Sequence, residues 1–176
     1  STLLDRAQQW AHQSEVNQEL AGVEIPVGVR VSEEVRIGGY MDRLLRDGEG
    51  NYLVVDLKTG RNTPAKKEGE DHVQLMTYQL ALAHGAFDGH QVHDGEGMPR
   101  QGGVLVYPGA TTKKIGEIWQ SDKSPEALED FAALLPPLVE EMRGPRITAR
   151  TNKDCDKCPI RSICPVQEEG RMTTDA

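Results

Sequence analysis

At 176 residues, 37% hydrophobic and 27% charged, the chain is long enough for one domain with a real core and a small appendage. A formal net charge of −8 argues against gripping nucleic acid through bulk charge and leaves room only for a local basic groove. No apolar run reaches membrane-spanning length, which excludes a spanning helix and makes a cytoplasmic protein the expectation.

The opening "STLLDRAQQWAHQSEVNQEL" is polar and helical rather than secretory, and it begins without Met, so a fragment or processed product is expected. Leu3, Ala7, Trp10 and Ala11 share one helical face and predict a helix over 3–20. "VEIPVGVRV" alternates with Val23, Ile25, Val27, Val29 and Val31 on one face, a half-buried strand that Pro26 assigns to a sheet edge. A second strand spans 35–46, and "DGEGN" turns the chain into a third strand, "NYLVVDLKTG". Tyr52, Val54, Asp56 and Lys58 point to one side of it, Leu53, Val55 and Leu57 to the other. Residues 70–86 read as a helix that Gly85 could end, and 88–102, rich in Gly, Asp and His, as a loop. "GGVLVYP" and "KIGEIWQ" predict a strand pair. A helix over 124–143 is capped by Ser124, with Pro125 in its first turn and an interruption at Pro136-Pro137.

This order predicts an α/β fold, a central mixed β-sheet flanked by helices, over residues 1–150, followed by a cysteine-containing segment over 151–176. All three cysteines, Cys155, Cys158 and Cys164, lie in "CDKCPIRSIC". An odd, clustered set suits a metal or cluster site in a reducing compartment better than a disulfide framework.

Asp42, in "GGYMDRLLRD", lies on the second strand, and the hairpin turn allows it to approach Asp56 on the third. Two carboxylates on neighbouring strands suit a hard divalent ion, with a backbone carbonyl such as that of Leu57 completing the set. A lysine beside that ion, Lys58, can orient an attacking water and stabilise charge on a phosphate. Read alone, D-x-K is equally a surface ion pair worth under about 1 kcal/mol. Gln74 and Tyr78, four residues apart, share one face of an otherwise apolar helix and offer donors to a phosphate or a bound water. Lys58, Arg61, Lys66 and Lys67 form a basic cluster that reads either as a solvated loop or as a groove wall.

In this order and spacing, "GGYMDRLL", "VVDLKTG" and "QLMTYQLA" resemble the PD-(D/E)XK nucleases of the RecB exonuclease family. "CDKCPIRSICP" with the following "GRMTT" resembles the C-terminal nuclease domains of AddB- and AdnB-type helicase-nucleases, especially the actinobacterial UvrD-like form. The resemblance covers about residues 20–174 and implies a restriction-endonuclease-like core. It implies that Asp42, Asp56 and the Leu57 carbonyl hold Mg²⁺ or Mn²⁺, that Lys58 is the catalytic lysine, and that Gln74 and Tyr78 line the site. Glu24 matches a recurrent family glutamate and reads more readily as a structural salt bridge. The implied activity is phosphodiester hydrolysis of DNA in double-strand-break repair, with attached helicase domains and a second helicase-nuclease subunit as partners. The alternative is a catalytically incomplete DNA- or partner-binding module.

Two departures accompany the resemblance. The family's upstream G-x-x-x-H histidine has no counterpart here, and His12 lacks the glycine. The three cysteines match three of the four thiolates of a [4Fe–4S] cluster, which predicts an incomplete site, or zinc with a borrowed ligand, and a poorly ordered tail in isolation.

Overall fold

The computed structural model describes residues 2–14, 17–85, 97–112, 114–145 and 148–171. The loop expected over 88–102 falls outside the described residues up to 96, as does "MTT" of the C-terminal motif. The chain forms two compact units, Ser1–Pro136 and Pro137–Ala176, parting earlier than the expected boundary at 150.

In the first unit, helix α1 (Leu3–Ser14) precedes strands β1 (Gln18–Arg30), β2 (Arg36–Asp47) and β3 (Tyr52–Leu57). Helix α2 (Val73–Ala83) crosses to β4 (Arg100–Tyr107), then β5 (Gly116–Gln120) and helix α3 (Pro125–Ala133) follow. The first helix ends at Ser14 rather than at 20, because Gln18, Glu19 and Leu20 pair with Asp47, Arg46 and Leu45 of β2. Cross-strand pairing there outweighs helical propensity.

The five strands run β1-β2-β3-β4-β5. All neighbours are antiparallel except β3 and β4, and that parallel pair needs a crossover, which α2 supplies. Pro26 does lie on an edge strand. The hairpin between β2 and β3 is closed by Asp47, whose carboxylate accepts from the backbone N–H groups of Glu49 and Asn51 at 2.9 and 2.8 Å. Gly50 takes the left-handed φ of 90° that this turn requires.

The alternation of β1 is broken. Glu24 has a φ of 48°, a conformation that disfavours any residue with a Cβ. Val23 is turned outward and is 56% exposed, whereas Ile25, Val27 and Val29 are buried as expected.

Each face of the sheet carries its own core. Ile25, Val27, Val29, Met41, Leu44 and Val54 pack with Ala81 and Leu82 of α2. Leu45, Leu53, Val55, Val104 and Val106 pack with Trp10 of α1. Leu75 of α2 joins Leu105 and Ile118 in a third cluster.

The expected long helix over 124–143 is divided at Leu134 into α3 and α4 (Leu135–Arg143). Pro136 and Pro137 bring no N–H to bond back to the preceding turn. Ser124 caps α3 as expected, accepting from Ala127 N at 3.2 Å. In the second unit, residues 148–171 hold two short 3₁₀ turns, Cys155–Lys157 and Arg161–Ile163, and a one-turn helix α5 (Glu168–Arg171). Arg161 links Asp156 and Glu169 there, at 2.8 and 3.2 Å. Among the described residues no helix is long and apolar enough to cross a membrane.

Candidate active site

The carboxyl end of β3 carries the acid and the base that the alternation placed together. Asp56 is 3% exposed. The register Arg43↔Val55, continued by one residue, sets Asp42 across from Asp56. Asp42 turns one oxygen back to the β3 backbone, accepting from Leu57 N at 2.7 Å. Leu57 itself faces away and is partly exposed, as an odd position of this strand should be.

Helix α2 closes the cluster. Gln74, in its first turn, donates to Asp56 Oδ1 at 2.7 Å and its Oε1 accepts from Lys58 Nζ at 2.6 Å. The same Gln74 amide lies 3.0 Å from the Tyr78 hydroxyl, which donates to the carbonyl of Tyr40 on β2 at 2.8 Å. Lys58 Nζ also sits 2.6 Å from Asp56 Oδ2. Oδ2 is buried, and the Lys58 ammonium is the partner that meets it. The pair is no surface ion pair, since Asp56 is buried and Lys58 only 31% exposed. One glutamine thus holds an acid, a base and a phenol in fixed relation.

Electrostatics follow from burial. Asp56 is pushed above the usual carboxylate range chiefly by desolvation, opposed by Lys58 and reinforced by the negative charge of Asp42. Tyr78 is raised, again chiefly by burial. His72, just before α2, is held below the ordinary histidine value by burial and then by Lys58. Its Nδ1 is buried without a hydrogen-bond partner.

A buried amide network sets where α2 begins. The Gln120 amide nitrogen, on β5, faces the carbonyls of Gly69, Glu70 and His72 at 3.0, 3.1 and 3.2 Å. Gln79 of α2 donates to Gln120 Oε1 at 2.8 Å and accepts from Lys123 N at 2.9 Å. Both glutamines are fully buried. The sequence reading missed them, and the available signal was a glutamine on the inward face of an apolar strand, Gln120 beside Ile118.

The expected residues are not all assembled. Asp42, Asp56, Lys58, Gln74 and Tyr78 come together. Glu24 lies between Val23 and Ile25, which pair with Arg43 and Met41, is exposed, and makes no ion pair among the described residues, contrary to the salt bridge expected of it. Cys155, Cys158 and Cys164 are free thiols, each partly buried, and Cys155 Sγ accepts from Asn152 N at 3.2 Å. Among the described residues no three His, Cys, Asp or Glu side chains converge as a metal-holding group. The cysteines therefore do not fit a closed metal or cluster site by themselves. The Asp42–Asp56 pair does fit a hard ion that brings its own water, since such ions take one or two carboxylates and the β2–β3 register sets these two side by side at the end of β3.

A five-stranded mixed sheet flanked by helices, with an acid and a lysine ending its middle strand, defines a restriction-endonuclease-like α/β core. Residues 1–165 match the PD-(D/E)XK nuclease superfamily, and the chain belongs to it. The fold is similar to the crystal structure of SSO0001, at 20% identity and a TM-score of 0.52, covering 93% of this chain and 70% of that one. No curated protein matches the chain.

Proposed function

We propose that this domain is a metal-dependent deoxyribonuclease, an exonuclease or endonuclease hydrolysing phosphodiester bonds. The observation that carries the reading is the closed Asp56–Gln74–Lys58 triangle, with Tyr78 behind it, on a superfamily-typical core. Asp42, Asp56 and the Leu57 carbonyl would hold Mg²⁺ or Mn²⁺. When bound, such an ion supplies Lewis acidity toward water and phosphate and offsets developing negative charge.

The chain's own groups do the remaining work. Lys58 keeps a positive charge within reach of a phosphate oxygen and of an attacking water. Gln74 fixes the direction of both Asp56 and Lys58, so neither needs to reorganise as charge develops. Tyr78, raised by burial, stays a neutral donor and ties α2 to β2 through the Tyr40 carbonyl.

The motif set and the C-x₂-C-x₅-C tail support a RecB-type domain of a cytoplasmic helicase-nuclease in double-strand-break repair. In that setting its partners are DNA ends, attached helicase domains and a second subunit, and Cys155, Cys158 and Cys164 would be three of the four thiolates of a [4Fe–4S] cluster. A second reading, a binding module that does not cut, is favoured by one observation: only two carboxylates face the site, and no third ligating side chain joins them among the described residues.

The test is cleavage of linear DNA with Mn²⁺ by the wild type, Asp56→Ala and Lys58→Ala, alongside calorimetric Mn²⁺ titration. Cutting lost in both variants supports the nuclease. Intact DNA binding with neither cutting nor Mn²⁺ uptake in the wild type selects the binding module.

A further inference from the structure

The face of the sheet opposite Asp56 carries a second polar arrangement. Glu117 and Trp119 of β5 pair with Val106 and Val104, which belong to the α1-side core. They therefore lie behind the sheet, whereas Asp56, in register with Leu105, faces α2. Glu117 is clamped between two indoles: Trp10 Nε1 donates to Oε1 at 2.6 Å and Trp119 Nε1 to Oε2 at 3.1 Å. Both carboxylate oxygens are thus occupied, and the carboxylate serves to hold the rings. Trp10 is buried, but Trp119 stays 49% exposed although its N–H is satisfied. The indole is therefore held by its N–H while one face stays open to solvent, an arrangement in which an aromatic ring can take a stacked partner.

Grooves open on both sides of that ring. One, of about 280 Å³, is lined by Gln13, Asn17 and Leu53 together with both tryptophans. The other, of about 560 Å³, is lined by Thr63, Lys66, Thr112 and Lys114. Lys66 and Lys114 are exposed and make no ion pair with any described residue. The second groove has a firm wall: a Cβ on Gly116 would collide with the Thr63 side chain, so the loop after β3 lies directly on β5.

We propose that this surface binds single-stranded nucleic acid, with one base stacked on Trp119 and flanking phosphates on Lys66 and Lys114. An aromatic platform beside lysines is the chemistry that holds unpaired bases, because every base has a π-face and every linkage a charge. Asn17 and Gln13 add amide donors and acceptors for a base edge. A duplex keeps its bases stacked inside and cannot use the indole. The surface is separate from Asp56, and it holds a strand whether or not the chain cuts it.

The experiment uses the full chain with EDTA, so that no cleavage intervenes, and fluorescein-labelled oligo(dT) read by anisotropy and by tryptophan quenching. Trp119→Ala is expected to weaken binding on the order of tenfold, and Trp119→Phe much less, as one lost stacking platform predicts. Lys66→Gln and Lys114→Gln are each expected to flatten the plot of log affinity against log salt by about 0.7. These lysine variants leave the indole and the core untouched, so they test the surface even if Trp119→Ala folds poorly. Oligo(rU) bound comparably also supports the surface, since stacking does not read the sugar. Equal affinity of Trp119→Ala and wild type, no binding of oligo(dT) by the wild type, or duplex DNA competing as well as the single strand would each overturn it. A protein that binds through Trp119 but cuts nothing refutes the proposed activity and keeps this surface; one that cuts but binds independently of Trp119 does the reverse.

Discussion

Two motif-rich regions of this chain meet opposite fates on folding. Asp42, Asp56, Lys58, Gln74 and Tyr78 span 37 positions of sequence, yet they converge on one hydrogen-bonded cluster. Cys155, Cys158 and Cys164 lie within ten positions, yet they remain free thiols, and among the described residues no hydrogen bond joins one thiol to another. Proximity in sequence is therefore the weaker guide. The first set is carried by a hairpin, a parallel crossover and a helix, each packed on an apolar core that fixes its register. The second is carried by single turns, which have no core of their own to aim a side chain.

The sharpest way to test this contrast is to damage the first set. Asp56→Ala or Lys58→Ala should lower DNA cleavage by about 10³-fold or more, because each removes a charge from a preorganised site. The fold should survive both, and a melting curve checks that. A variant that cuts at near wild-type rate would make the cluster a structural ion pair and erase the contrast.

The pH dependence of the same carboxylate comes next. Burial raises Asp56, so between its unfolded and folded values the folded state holds the proton more tightly. Stability should then fall as pH rises through the window above about 4, where an ordinary carboxylate ionises. Asp56→Asn should flatten that segment of a plot of stability against pH. The opposite sign belongs to Glu70, lowered to about 2 by Lys123 and Ser121. Its contribution is present above about 4.5, the unfolded value, and lost as pH falls toward 2.

Gln120→Leu should destabilise the first unit by about 2–3 kcal/mol, since it leaves buried carbonyls unpaired. Chemical denaturation measures this. Tyr78→Phe removes one hydroxyl bonded to a backbone carbonyl, so its loss should be nearer 1 kcal/mol. The smallest effect belongs to the tail. Replacing Cys155, Cys158 and Cys164 together with serine should change the melting of this chain by less than about 0.5 kcal/mol, because the thiols are unpaired. A large loss there, or iron or zinc retained in stoichiometric amount by the wild type and not by the variant, would show that the second set does assemble.

How much of this could be read in advance depends on which forces set each feature. The face shared by Asp56 and Lys58 follows from strand period alone, and that of Gln74 and Tyr78 from helix period alone. Their meeting does not, because it needs the β2–β3 register and the parallel placement of β4, which tertiary packing decides. The end of α1 at Ser14 was hidden because Gln18 to Leu20 are good helix formers claimed by β2. The outward turn of Val23 was hidden because nothing in "VEIPV" marks Glu24 for a left-handed backbone. Gln79 and Gln120 went unnoticed because a glutamine is ordinarily a surface residue.

Those two glutamines separate what the molecule does from what keeps it assembled. An amide carries no charge at any pH and is little affected by salt. The attachment of α2 to the edge strand therefore stays constant across conditions that change the charge on Asp56. Acid, which protonates Asp56, should silence the chemistry while the chain remains folded, so that inactivation by a pH shift is reversible on returning the buffer. Loss by heating removes the amide network itself and has no such guarantee of return.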